Sequence, residues 1–175
     1  SAPAILQSHH EQRGEMSQID TIAALIGEID AGSPAGFALA LHIRFTAPRY
    51  LFQAYPRRWL DHYSAHGFVI NDPTVAWGMS NTGHIRWSEL TPIDRLGVLE
   101  QAKDFGLMNG ITFATVSSGS RSIASCARAD RDYEIEEIAS LEAAFLELHR
   151  LTGEIDPEAE EEQKALEELS IRLTR

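Results

Sequence analysis

Between Phe37 and Phe45 the apolar residues Phe37, Leu39, Leu41, Ile43 and Phe45 alternate with Ala38, Ala40, His42 and Arg44. Successive side chains of an extended chain point to opposite faces, so this alternation demands a strand with one face against a core. Such a strand needs neighbours, and the chain offers them. Tyr50 to Ala54 follows a Thr-Ala-Pro-Arg turn and completes a hairpin. Two further β-rich runs, Gly110 to Ser117 and Arg121 to Ala129, are joined by Ser118-Gly119-Ser120 as a second hairpin. His84 to Trp87, after the turn Asn81-Thr82-Gly83, predicts a short fifth strand.

Helical spacing fills the intervals. Ile19, Ile22, Ala23, Ile26 and Ile29 mark a helix from Ser17 to Asp30, with Ser17 as its cap and Gly32-Ser33-Pro34 as its stop. Pro56 opens a short helix to about Ala65, closed by Gly67. Asp72-Pro73 opens another, because a carboxylate accepts from the free amides of a first turn and proline there lacks one to satisfy. Residues 93–105 place Ile93, Leu96, Leu99, Ala102 and Phe105 on one face, and residues 132–151 do the same with Ile135, Ile138, Leu141, Phe145 and Leu148. The order predicts an α+β fold: an α-β-α sandwich with a roughly five-stranded, mostly antiparallel sheet between helical layers. Residues 16–152 form its single domain. A flexible N-terminal extension, residues 1–15, precedes it, and an acidic helix or linker, residues 153–175, follows with Leu166, Leu169 and Leu173 at helical spacing.

Charge and composition exclude several functions. Fifteen basic against 26 acidic side chains give a net charge of −11, which repels a phosphate backbone, so this chain is not expected to bind nucleic acid directly. Eight acids and three bases of that total lie in residues 153–175. Cys126 is the one cysteine; it rules out an intramolecular disulfide, reads as a small buried residue, and fits a cytoplasmic location. Charges interrupt every apolar run well before the roughly 20 residues that span a bilayer, so no membrane association is expected. The hydrolase elbow, the His-Glu-x-x-His zinc motif, the phosphate-cradling glycine loop and the dinucleotide fingerprint are all missing, and the reading is of a protein that is not an enzyme. His42, His62, His66 and His84 fall on different elements and read as solvated or core residues; neither metal nor cofactor is expected.

One segment is more specific. From Tyr55 the chain reads Tyr55-Pro56-Arg57-Arg58-Trp59-Leu60-Asp61-His62-Tyr63, then Asp72-Pro73-Thr74-Val75, then Trp87. Alone, Trp59 and Tyr63 are ordinary core aromatics four apart on a helix, and Asp72 is a helix cap. Together, this Trp-x3-Tyr pair, the Asp-Pro and the second Trp resemble the autoinducer-binding domain of LuxR-type quorum-sensing regulators. Gly106 to Gly110 resembles the approach to that family's fourth strand, and Ser125 stands where many members keep Ser or Thr. The similarity covers roughly residues 17–151. Phe113-Ala114-Thr115 departs from it where many relatives carry a proline.

The resemblance implies a receptor for a small-molecule autoinducer, an acyl-homoserine lactone or a related amide. Trp59 would donate to the lactone carbonyl, Asp72 would accept from the amide N–H with help from Thr74, and Tyr55 and Ser125 would hold the amide carbonyl. Tyr63 would wall the start of the acyl chain and Trp87 would pack on the lactone ring. Ser125 shares a strand face with Ile123 and Ala127, small or apolar as a pocket wall should be. Periodicity suggests Leu39, Leu41, Val75, Leu107 and Phe113 along the acyl chain. The family implies a homodimer, or a heterodimer with a relative, and a helix-turn-helix beyond the sensing domain. The alternative is a solo antiactivator or dimerisation module that lacks a DNA-binding head and needs no lactone, a reading prompted by the leucine stripe of residues 157–175.

Overall fold

The computed structural model describes the backbone of residues 4–173 and the side chains of residues 18–173. The expected extension, residues 1–15, therefore lies outside the described side chains. Five strands form one sheet: β1 (Gly36–Arg44), β2 (Ala47–Gln53), β3 (Gly83–Arg86), β4 (Asn109–Ser117) and β5 (Ser120–Arg128). Their order is β2-β1-β5-β4-β3, and every neighbouring pair is antiparallel. The helices are α1 (Ala4–Ala31), α2 (Arg57–Ala65), α3 (Pro73–Ser80), α4 (Val98–Lys103), α5 (Ile135–Glu154) and α6 (Glu160–Leu173), with 3-10 segments at Phe68–Ile70 and Trp87–Ile93. None of the described helices is long and apolar enough to cross a membrane.

Two apolar clusters lie on opposite faces of the sheet, which gives the expected sandwich. On one face, Phe37, Leu39 and Leu41 of β1 meet Ile22, Ile26 and Ile29 of α1 and Phe145 and Leu148 of α5. On the other, Trp59, Phe68, Trp87, Leu90, Val98 and Leu107 pack together. Each large side chain withdrawn from water contributes about 1.5–3 kcal/mol, so the two clusters together supply most of the drive to fold. The acidic α6 joins the first cluster through Leu166, and Gln163 Nε2 donates to the Tyr50 hydroxyl on β2 at 2.8 Å.

The structure corrects four local expectations. The alternation begun at Phe37 breaks at His42, where φ is +56° and the pairing of β1 with β5 shifts between Ala40 and Ile43. This is a β-bulge: one inserted residue turns Ile43 to the face of Ala38 and Ala40. Phe45, expected on the buried face, sits in the turn with φ +57° and is 95% exposed. The turn is Phe45-Thr46, and β2 begins at Ala47 with Pro48 inside it, which an edge strand tolerates because no partner needs its amide. Residues 93–105 are not one helix. Gly97 has φ +64°, and the Asp94 carboxylate accepts from the amides of Val98 (2.8 Å) and Leu99 (2.9 Å), so α4 starts afresh and Ile93 and Leu96 stay half exposed. Finally, α1 is longer than expected and Ser17 lies inside it instead of capping it.

The bulge places His42 beside His149 of α5, with ring centroids 4.6 Å apart. His42 Nε2 lies 3.0 Å from the His149 carbonyl and 2.9 Å from Thr152 Oγ1, and Nδ1 lies 2.7 Å from Ser120 Oγ. The carbonyl can only accept, so Nε2 carries the proton and Nδ1 accepts from Ser120; the ring fits its site neutral. Burial, then the neighbouring His149 and Arg49 charges, push His42 down to about 4, and burial lowers His149 as well. A depressed folded value means that the unfolded chain binds the proton first. Stability is thus fully present above about pH 6.5 and is lost as pH falls toward the folded value. Denaturant melts at pH 7 and pH 5 are expected to show a loss on acidification of up to about 1.4 kcal/mol per pH unit per histidine. The share due to His42 should vanish in His42→Gln, leaving a shallower slope from His149; an equal slope in the variant would assign it elsewhere.

Candidate ligand-binding site

Between the sheet and the layer of α2, α3 and α4 lies a cavity of about 620 Å³, within the range of small-molecule sites. Tyr55, Trp59, Tyr63, Asp72, Thr74, Trp87 and Ser125 all line it. The sheet supplies a floor of small and aliphatic side chains, Ala38, Ala40 and Ile43 of β1, Leu51 of β2 and Ile123 of β5. Of the five apolar neighbours expected from periodicity, only Val75 is in the wall. Leu39, Leu41 and Phe113 belong to the cluster across the sheet, and Leu107 is buried within the second cluster. The large residues of β1 face α1 and α5, so the alanines between them are left to shape the cavity.

Asp72 is fixed from three directions. Its Oδ1 accepts from the Thr74 amide (2.8 Å) and the Thr74 hydroxyl (2.7 Å), and its Oδ2 accepts from the Tyr63 hydroxyl at 2.7 Å. The amide bond is the N-cap of α3, so the helix start and the carboxylate position are one feature. A carboxylate oxygen has two acceptor sites, which leaves Oδ2 able to take one more donor. Burial raises the Asp72 carboxyl above its ordinary value, against the opposing pull of Tyr63 and Thr74. Burial and the Asp72 charge push Tyr63 up in turn, so its hydroxyl stays a donor. Burial likewise drives Tyr55 well above the usual phenol range.

A second polar chain crosses the sheet. Trp87 Nε1 donates to Thr112 Oγ1 at 3.0 Å, and Thr112 Oγ1 lies 2.7 Å from Ser125 Oγ. If Thr112 donates in that contact, the Ser125 hydroxyl is free to donate into the cavity. Thr112 was missed by the sequence reading. Pairing outward from the Ser118-Gly119 turn would have found it, since it stands directly opposite Ser125 in the β4–β5 register. Trp87 lies flat on Gly110: a Cβ there would come within 2.0 Å of the indole. Gly36 does a similar service for Tyr55, because with φ +125° it lets the backbone of Ala54 and Tyr55 approach to within 2.8 Å of where a Cβ would be.

Trp59 and Tyr55 complete the wall. The Trp59 indole packs edge-on to Tyr63 and against Phe68 and Phe105, which fixes its plane. Among the described residues no hydrogen bond reaches the Trp59 N–H or the Tyr55 hydroxyl, and both side chains line the cavity. The wall therefore offers an acceptor position on Asp72 and donors on Trp59, Tyr55 and Ser125, over an apolar floor. That set holds a ligand with one amide-like donor, two carbonyl-like acceptors and a greasy tail.

Comparison with known proteins agrees with this geometry. Residues 37–151 match the family model of the autoinducer binding domain. The transcriptional activator AhyR of Aeromonas hydrophila is 30% identical over 131 residues, covering 67% of this chain and 50% of AhyR. SolR of Ralstonia nicotianae, also a transcriptional activator, is 38% identical over 61 residues, covering 35% of this chain and 26% of SolR. The matches thus span half or less of these relatives. Escherichia coli SdiA superposes with a TM-score of 0.57 at 21% identity, over 84% of this chain and 70% of that one. A structure of SdiA in complex with octanoyl-rac-glycerol gives the same TM-score at 20% identity, over 89% of this chain and 70% of that one. These structural likenesses show the fold; the family model, covering well over half the sequence, shows the kinship. Both of these curated relatives are transcriptional activators. The chain belongs to the autoinducer-binding domain family of LuxR-type quorum-sensing regulators.

Proposed function

We propose that this chain is the sensing domain of a transcription regulator whose ligand is an acyl-homoserine lactone or a closely related amide. The observation that carries this reading is the open acceptor position on Asp72 Oδ2 beside the uncommitted donors of Trp59 and Tyr55, in one cavity wall. An unpaired polar group held away from water costs about 1–3 kcal/mol, so such a wall favours a ligand that satisfies all of these groups together. In this arrangement Asp72, supported by Thr74, accepts the ligand amide N–H, Trp59 donates to the lactone carbonyl, and Tyr55 and Ser125 donate to the amide carbonyl. Tyr63 flanks the start of the acyl chain and Trp87 closes over the ring. No cofactor takes part. The regulator acts in the cytoplasm as a homodimer or as a heterodimer with a relative, and DNA contact belongs to a part of the protein other than this acidic chain. A module that needed no ligand would be expected to fill this cavity with its own side chains, so the ligand-free alternative is the weaker reading.

The test is expression with a panel of acyl and aroyl homoserine lactones, followed by native mass spectrometry and thermal melting. One lactone per chain is expected. At a hundredfold excess over Kd the bound ligand adds about 2.7 kcal/mol, or roughly 5–10 °C in Tm for a chain of this size. A protein that retains no lactone and melts unchanged would overturn the proposal.

A further inference from the structure

The cavity floor has a direction. Across β2, β1 and β5 the first tier is Gln53, Ala38 and Ser125, aligned by the strand registers. The second tier is Leu51, Ala40 and Ile123, and the third holds Pro48 and Ile43. Only the first tier carries polar groups. The roof runs the same way. Asp72 and Thr74 stand at the start of α3; further along, Gly78 lies directly on Ile123, where a Cβ would come within 2.7 Å of that side chain. The end of α3 is then tied to the register of Ile43 by Arg121, which donates to the carbonyls of Gly78 and Asn81 at 2.6 and 2.7 Å. Head group and tail exit are therefore at opposite ends of β1.

Resting on the receptor reading above, we infer that the natural ligand carries a long, unbranched acyl chain of about twelve carbons or more, with Ala40 as the residue that lets it pass. From Ala38 to Ile43 the strand advances roughly 15 Å, at about 3.3 Å per residue and slightly less across the bulge. An extended chain of bonded atoms advances about 1.1–1.2 Å per atom, so about twelve to fourteen atoms are needed to cover the distance. Shorter chains leave the third tier empty. Phe45 and Ile70 also line the cavity yet are 95% and 86% exposed, so we take its open end to lie beside them. Large apolar side chains left in water at a cavity mouth gain cover from a ligand that reaches them. Nothing at the second tier stops the chain, because Ala40 is the smallest side chain there and lies between Leu51 and Ile123.

The experiment is competitive retention. The 175-residue chain is expressed with an equimolar series of straight-chain lactones from butanoyl to tetradecanoyl, and the bound fraction is extracted and identified by mass. Each buried methylene is worth about fourfold in affinity, so dodecanoyl and tetradecanoyl lactones should outcompete hexanoyl by at least tenfold. Ala40→Phe should move the preference to hexanoyl or shorter. Phe45→Ser, at a position too exposed to affect folding, should lower tetradecanoyl retention about fourfold and leave octanoyl retention unchanged. A preference for octanoyl or shorter in the unsubstituted chain overturns the inference while leaving the receptor reading intact, as does a Phe45→Ser variant that holds tetradecanoyl fully. Retention of no lactone at any length overturns both.

Discussion

Replacing Asp72 by asparagine is expected to weaken lactone binding ten- to hundredfold while the ligand-free protein keeps nearly its full stability. The asparagine carbonyl can still accept from the Thr74 amide, so α3 keeps its N-cap. Tyr63, whose hydroxyl now donates to Oδ2, can turn and accept from the new amide group. What is lost is the acceptor position that faced the ligand, where an N–H donor now meets the ligand's own N–H. Hydrogen bonds to charged groups are worth about 1.5–3 kcal/mol, which sets the size of the effect. Asp72→Ala makes the contrast: it also removes the cap, at about 1–2 kcal/mol, and leaves the Thr74 and Tyr63 hydroxyls without their acceptor. Calorimetric titration and ligand-free melts of both variants separate the two roles. An asparagine variant that binds as tightly as the parent would remove Asp72 from the ligand contacts.

Much of this was legible in the sequence because the physics involved is local. The alternation in β1, the turn at Ser118-Gly119 and the Asp72-Pro73 helix start each follow from neighbours along the chain. The Tyr55-to-Trp87 pattern supplied six residues, and the resemblance it carries added Ser125; all seven share one cavity wall. Illegible were the features that depend on what lies across space. The bulge at His42 has no composition signal, since a histidine at φ +56° is held by Ser120, Ser122 and α5 and not by its own preference. Without the bulge, Ile43 would be assigned to the wrong face and the tail of the cavity would vanish. Four of the five expected acyl-chain neighbours were misplaced for a related reason. A strand in the middle of a sandwich is covered on both faces, and the larger residues, Leu39 and Leu41, took the side without the cavity. Gly97 and Asp94, by contrast, were visible signals that outweighed the helical spacing of residues 93–105.

Gly110→Ala is expected to destabilise this protein strongly although it adds a single methyl group. Gly110 pairs with Ala127 inside the sheet, so its backbone cannot retreat. The new Cβ would lie 2.0, 2.2 and 2.5 Å from three ring atoms of Trp87, contacts that no repacking of flexible atoms relieves because the indole is rigid. The ring must therefore move off β4. Its N–H then leaves Thr112 at the buried end of the Trp87, Thr112 and Ser125 chain, and Ser125 loses the neighbour that orients its hydroxyl toward the cavity. Overpacking costs about 1–3 kcal/mol and the broken buried hydrogen bond about 1–3 kcal/mol, together a fall in Tm on the order of 5–20 °C. Thr112→Val isolates the second part, since it removes the hydroxyl and leaves the indole on Gly110. Melts of both variants with and without lactone should give the larger loss for Gly110→Ala, and a loss of bound ligand in both. If Gly110→Ala melts with the parent and retains its lactone, the flat seat of Trp87 on β4 is not what shapes this wall, and Ser125 must be held by other means.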